Sequence, residues 1–316
     1  MNAISRPFLQ PALPTQDPID PAFSLLHPAA GEAPEFSNAE PAWRAFLRYP
    51  MAVAGLVILF MLIVVALFAP VLFPGDPLST VAAAVIPPFQ EAAYPLGTDS
   101  LGRDVLAGLA HGAQMSLAIG ILSAAVSLVI GMIFGVVSGY FGGFIDDLLM
   151  RITELFQTTP SFLLAIVIVT LGGPTPGMIT FAIGIGSFPT IARLVRAEFR
   201  WLRSTDFVTA ARSQGYGSLR IIWQEILPNT LPPVIITTSV LIASAILTEA
   251  GLSFLGLGDP NVPTWGSMIG SGRTMLQDAW YLTAIPGLLI IVTILAINLI
   301  GDGLSEVLNP KLRKSR

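Results

Sequence analysis

The chain contains no cysteine and only two histidines, His27 and His111, in 316 residues. Disulfides, thiolate metal centres and cysteine nucleophiles are therefore excluded, and two imidazoles are too few for an ordinary zinc or haem site. Charge is equally scarce: 11% of residues are Asp, Glu, Lys or Arg, against about 25% in a soluble domain. Hydrophobic residues make up 53%. A soluble globule could not cover such a composition with polar surface, so the chain reads as an integral membrane protein embedded in a lipid bilayer. The net charge of −4 says less than where the charges fall.

Several catalytic signatures are missing too. No G-x-x-x-x-G-K-[ST] occurs, and neither Lys311 nor Lys314 follows a glycine, so the chain carries no phosphate cradle for hydrolysing ATP. G-x-S-x-G and H-E-x-x-H are absent as well. The tight G-Y-F-G-G at 139–143 ends an apolar run and leads into Asp146 and Asp147, unlike a phosphate loop. The expectation is a non-catalytic protein with no metal, no cofactor and no nucleic-acid partner.

What the chain does have is long uncharged runs. A helix needs about 20 apolar residues to cross a bilayer. Tyr49–Gly75 and Val105–Ile145 each qualify, the second with its apolar centre at Met115–Tyr140. Leu155–Ala192 is interrupted by G-G-P-T-P-G at 172–177 and reads as two spans in a hairpin. Ile226–Thr248 and Ala279–Gly301 bring the total to six helices. With the N-terminus cytoplasmic, fourteen of the sixteen Lys and Arg residues fall on the inside; only Arg103 and Arg273 fall outside. That bias places both termini in the cytoplasm.

The expected organisation is a disordered cytoplasmic tail at 1–40, rich in proline and without an apolar run. The first span and an irregular, proline-punctuated extracytoplasmic segment occupy 41–110. A five-helix core fills 111–304 and contains a cytoplasmic loop at 205–229, and a basic cytoplasmic tail closes the chain at 305–316.

The 205–229 loop is a charged island between hydrophobic spans. In its second half Leu219, Ile222, Trp223 and Ile226 form an apolar stripe at helical spacing, with Ser218 as N-cap and Pro228 as terminator. Phe207, Ala210 and Ala211 form a smaller face in the first half, capped by Ser204 or Thr205. Gly215 and Gly217 separate the two and permit a sharp corner. An interfacial helix would carry a Lys/Arg-rich polar face. Small residues at a protruding corner favour insertion into a groove on another protein.

At this point the chain resembles the permease subunits of ABC transporters. Their loop pattern is E-A-A, three residues, G, nine residues, I-x-L-P, matched here by Ala210, Ala211, Gly215, Leu227 and Pro228. Thr209 and Glu225 depart from it. Within the family the chain is similar to the C-type partner of the peptide and nickel importer branch. The similarity also runs through P-L-G-T-D-S-L-G-R-D-V-L at 95–106, S-G-Y-F-G-G-F-I-D-D-L-L-M-R at 138–151, E-A-G-L-S-F-L-G-L-G at 249–258 and N-L-I-G-D-G-L at 298–304. S-E-V-L-N-P at 305–310 departs from the usual ending.

The resemblance implies an all-α polytopic membrane protein of the type I ABC importer permease fold, in a bacterial inner membrane. It implies a homologous second permease, two ABC ATPase subunits and an extracytoplasmic solute-binding protein as partners. Phe207, Ala210, Ala211, Gly215, Tyr216, Gly217, Ser218 and Leu219 would dock the ATPase. The implied substrates are di- or oligopeptides, with nickel or another small solute as the alternative. A stand-alone secondary transporter or channel would instead show inverted repeats and charges at mid-membrane depth, and neither is evident.

Other residues carry two readings each. Gln157, Thr158 and Thr159 before Pro160 are a candidate translocation path, or they satisfy backbone groups freed by the proline. Gly131, Gly135 and Gly139 suit close helix packing or a hinge. Glu249, at the edge of the fifth span, and Asp302 suit interfacial hydrogen bonding or, for Glu249, a proton relay. Arg193, Arg196, Arg200 and Arg203 form a basic ridge suited to lipid headgroups or an ATPase contact. Asp99, Arg103 and Asp104 pair with one another or meet a docked binding protein. His111 reads as a residue at the membrane boundary.

Overall fold

The computed structural model describes residues 42–308; the expected tail at 1–40 and the last residues of the basic tail lie outside them. Among the described residues the elements are helical, joined by turns and two isolated β-bridges. A short α1 (Ala42–Leu47) precedes α2 (Pro50–Leu72), α3 (Val105–Phe141), α4 (Gly143–Thr158), α5 (Ser161–Gly172) and α6 (Pro176–Arg203). Then come α7 (Asp206–Ser213), α8 (Ser218–Phe254), α9 (Trp265–Gly272) and α10 (Tyr281–Leu308).

Five of these helices, α2, α3, α6, α8 and α10, are long and apolar enough to cross a membrane. A sixth span exists only if the bent pair α4 and α5 counts as one, and the bend is 86°. The six expected spans are therefore met only with this bent pair as the third, which differs from a span beginning at Leu155. Leu155–Thr158 finish an amphipathic helix, Thr159 and Pro160 leave the helical path, and α5 alone is 12 residues long. Pro160 lacks the N–H that would continue the ladder, and it disfavours helical geometry at Thr159. The hairpin after it is as expected. Gly173 turns at φ +91, and the Thr175 side chain caps α6 by accepting from the Met178 amide at 3.3 Å.

The fifth span departs from expectation in another way. Pro228 does not end the helix begun at Ser218. Ile221–Ile226 widen into a π-helical turn, and the chain runs on through Pro228 to Phe254. The wider turn directly precedes Pro228, whose ring would collide with the carbonyl four residues back in a regular α-helix. It also resets the predicted stripe: Ile221, Ile222 and Ile226 are buried, whereas Leu219 and Trp223 are 73% and 65% exposed.

The extensive α3–α6 contact is the centre of the fold. A Cβ built on Gly131, Gly135 or Gly139 would lie 2.5–2.6 Å from the Cβ of Ile191, Val195 or Phe199, respectively. The three glycines form the groove into which one face of α6 settles, which is the packing reading of the repeat. Gly184 returns the arrangement, its Cβ position 2.6 Å from Val126. On the opposite side α10 packs between α2 and α8.

At the end remote from the arginines, the 73–104 segment is irregular, as its prolines imply. Buried Thr98 organises it, its hydroxyl donating to the Ala83 carbonyl at 2.6 Å and accepting from the Ile86 amide at 2.9 Å. The Tyr281 hydroxyl lies within 3.0 Å of Ile86 O and 3.2 Å of Thr98 O, tying the segment to α10. Glu249 is fully buried here rather than at an interface. Ser253 donates to it at 2.7 Å and Ser116 at 3.4 Å, while Ser116 Oγ accepts from the Trp265 amide at 3.1 Å. One carboxyl thus joins α3, α8 and α9.

Two expectations follow. Gly135→Val places methyl groups where Val195 and the Ala192 carbonyl already sit, so about 2 kcal/mol of stability should be lost. Gly177→Ala, with nothing within 4 Å, should be neutral; thermal unfolding in detergent compares them. Glu249→Ala should cost about 3 kcal/mol, since two buried hydroxyls lose their acceptor and a cavity opens. Glu249→Gln keeps an acceptor oxygen and should cost about 1 kcal/mol by the same measurement. Equal losses for the two Glu249 variants would contradict the hydrogen-bonded role.

Candidate functional site

The most exposed built feature is the corner between α7 and α8. The predicted caps act backwards: the Ser204 hydroxyl donates to Trp201 O at 2.8 Å and the Thr205 hydroxyl to Leu202 O at 2.5 Å. They close the end of α6 and leave α7 without a side-chain cap, though Asp206 in its first turn suits the helix dipole. Ser218 is likewise the first helical residue and not the cap, which is Gly217.

Val208 and Ala211 face inward, joining Phe199, Leu202, Ile221, Ile222 and Ile226 in one cluster. Phe207, Ala210, Gly215, Gly217, Ser218 and Leu219 face outward. The sequence grouping is therefore divided, with Ala211 on the supporting side. Tyr216 is half-buried, with the Arg220 guanidinium 3.8 Å above its ring centroid.

Gly215 makes the corner. The Tyr216 amide donates to Ala211 O at 3.1 Å and the Gly215 amide to Arg212 O at 2.9 Å, the paired bonds of a Schellman motif. That motif requires the left-handed conformation at Gly215, and φ is +82. A Cβ there would meet nothing within 4 Å. The glycine serves conformation and leaves the apex flat.

The arginine ridge has internal partners that sequence reasoning missed. Asp146 accepts from Arg196 Nε at 2.5 Å and Nη2 at 2.8 Å, a bidentate fork, and Arg200 adds a 3.7 Å contact. Arg203 sits 5.8 Å over the Tyr140 ring. The Asp146 fork pins the start of α4 to the last turns of α6, Arg203 ties α6 to α3, and Phe156, edge-on to Phe188 at 5.2 Å, holds the end of α4 to the middle of α6. The available signal was an acidic pair just after G-G, opposite arginines spaced three and four apart. Arg193 is exposed and outside this cluster.

Gln157, Thr158 and Thr159 lie at the α4–α5 break. Both threonines are exposed, and the Thr158 hydroxyl returns to Leu155 O at 2.9 Å. At the other end Asp99, Arg103 and Asp104 do not pair as expected. Asp99 accepts from the Leu101 and Arg103 amides at 2.8 and 2.9 Å, and Asp104 caps α3 by accepting from the Leu106 amide at 2.9 Å. Arg103 Nε is buried without a partner. His111 meets the Phe73 carbonyl at 3.2 Å, and Asp302 is exposed on α10. Among the described residues no three His, Asp or Glu side chains converge as a metal site.

Comparison with known proteins shows the family. Residues 131–314 match the family model of the binding-protein-dependent transport system inner membrane component, and residues 38–90 match that of the N-terminal transmembrane domain of oligopeptide transport permease C. The di/tripeptide transport system permease DppC of Pseudomonas aeruginosa (strain UCBPP-PA14) is 38% identical over 301 residues, covering 92% of this chain and 99% of that protein. The probable peptide ABC transporter permease y4tQ of Sinorhizobium fredii (strain NBRC 101917 / NGR234) is 43% identical over 275 residues, covering 85% and 92%. Among solved structures, the MetNI methionine ABC transporter in an inward-facing conformation shares the fold at TM-score 0.53 and 18% identity, over 64% of this chain and 96% of that one. The chain is a multi-pass membrane protein and belongs to the permease family of binding-protein-dependent ABC importers, in the branch whose members carry the N-terminal span of oligopeptide permease C.

Proposed function

We propose that this chain is one of two homologous permease subunits that together enclose the membrane path of an ATP-driven importer of di- and oligopeptides. The observation that carries the energy coupling is the Gly215 corner: a flat apex, rigidly capped, on a small helix whose inner face is packed and whose outer face is bare. On this reading α7 and both termini are cytoplasmic, in keeping with the arginine bias. One of two separate ATPase subunits receives the corner, the other serves the second permease, and an extracytoplasmic binding protein delivers solute to the end bearing α9 and the 73–104 segment. The peptide assignment is supported by what the relatives are named for transporting.

Phe207, Ala210, Gly215, Gly217, Ser218 and Leu219 form the contact face, with Ala211 and Tyr216 holding it in shape. Val208 and Ala211 seat α7 on the end of α6 and the π-helical start of α8. Closure of the ATPase pair therefore displaces two spans together, switching the permease pair between outward- and inward-facing states.

Gly215→Trp tests the coupling. Open space around Gly215 lets the variant insert at a strain of about 1–2 kcal/mol, yet the indole should block the partner's groove. Co-purification with the ATPase should vanish, while Gly215→Asn, which tolerates the left-handed backbone, should retain it. Full ATP-driven dipeptide uptake by the Trp variant would overturn the docking assignment. Uptake by the chain alone in liposomes, driven by an ion gradient, would overturn the importer mechanism itself.

A further inference from the structure

The depth of the α4–α5 break sets what must surround it. On α6 the residue beside the break is Gly186, whose Cβ position is 3.5 Å from Ser161. At 1.5 Å per residue, Gly186 lies about 15 Å along α6 from Pro176, and the 12 residues of α5 reach about 18 Å from Ser161 to the same turn. With that turn at one membrane face, the break stands near the middle of a hydrocarbon core about 30 Å thick. Yet Thr158, Thr159, Pro160 and Ser161 are all exposed. Interrupted backbone and bare hydroxyls persist at that depth only inside protein or against water.

From the break a cleft of about 440 Å³ runs toward the arginine end between α4 and α6. That volume lies within the range of about 300–1,000 Å³ typical of small-molecule sites. Asp147, Arg151, Glu154 and Gln157 line it from α4, and Arg193 and Arg196 from α6. Arg196 is committed to Asp146. Among the described residues, Arg151, Arg193, Asp147 and Glu154 make no ion pair within 4.0 Å. The cleft thus presents unpaired charges of both signs, with the carbonyl end of α4 adding partial negative charge at its head.

We propose that the break and this cleft form a water-filled vestibule that binds a short peptide with both termini free, its carboxylate toward Arg151 and Arg193 and its ammonium toward Glu154. Water access stands on the depth and exposure of the break alone; the ligand rests on the peptide reading above.

The absence of native cysteine makes the test direct. Single substitutions Thr158→Cys and Thr159→Cys, in the assembled transporter, are exposed to a membrane-impermeant thiol reagent from each side of the membrane. Leu67→Cys on exposed α2 serves as the lipid-facing control. Both threonine positions should react roughly tenfold faster than the control. Reaction only with a bilayer-soluble reagent, or with neither reagent, would overturn the vestibule.

Millimolar dialanine should slow the reaction about fivefold, and its doubly blocked acetyl-amide analogue should not. Arg193→Gln or Glu154→Gln should abolish that protection, read in each variant as the ratio of the rates with and without dialanine. Equal protection by the blocked peptide, or none while dialanine uptake proceeds, would sink the ligand assignment and leave the importer reading intact. A rate set by the anionic-lipid content of the membrane would make the cleft a headgroup site and overturn the proposal. If the transporter does not take up dialanine, the peptide assignment falls here and above together, and water access is still decided by the first measurement.

Discussion

The close approach of α3 and α6 sets the position of nearly everything that follows in the chain. Gly131, Gly135 and Gly139 let the two backbones nearly touch, because a side chain at any of them would occupy the space of an α6 side chain. In lipid there is no hydrophobic drive between helices, so contact area and fit must supply the attraction. Once α6 is seated, its last turns fix α7 through Val208 and Ala211 and the start of α4 through Asp146, while Phe188 at its middle holds Phe156 at the end of α4. The corner and the cleft are therefore both built outward from one helix.

The two ends of the bundle are held by different physics. At the arginine end, polar groups meet as charges: a forked carboxylate–guanidinium pair and guanidinium planes over Tyr140 and Tyr216. At the opposite end they meet as hydrogen bonds around Glu249, Thr98 and Tyr281. Such networks are costly if half satisfied. Among the described residues the buried side-chain polar atoms without a partner are Arg103 Nε and Ser123 Oγ.

Much of this was legible from the order of residues. Apolar runs without charge located the five long spans, because bilayer thickness fixes their length and few soluble elements imitate it. The hairpin at 172–177 and the corner at Gly215 followed from glycine and proline chemistry. The third span misled because the chain is uncharged from Leu155 through α5, and the absence of charge cannot register an 86° bend. The stripe after Ser218 misled because a 3.6-residue period was assumed where a π-turn intervenes. The placement of Glu249 near a span's edge said nothing of α9 folding over it, since the Thr264/Ser267 capping box that starts α9 lies in a stretch of weak periodicity.

The Asp146 fork has a mechanical consequence. It sits in the first turn of α4, which begins at Gly143, while the break at Thr158–Pro160 ends the same helix. With its first turn forked to α6 through Asp146 and its last turn packed on α6 through Phe156, α4 is held to that one helix at both ends. A displacement of α6 therefore carries α4 with it as one body, and the relative motion collects at Thr159–Pro160, where the chain leaves α4 for α5.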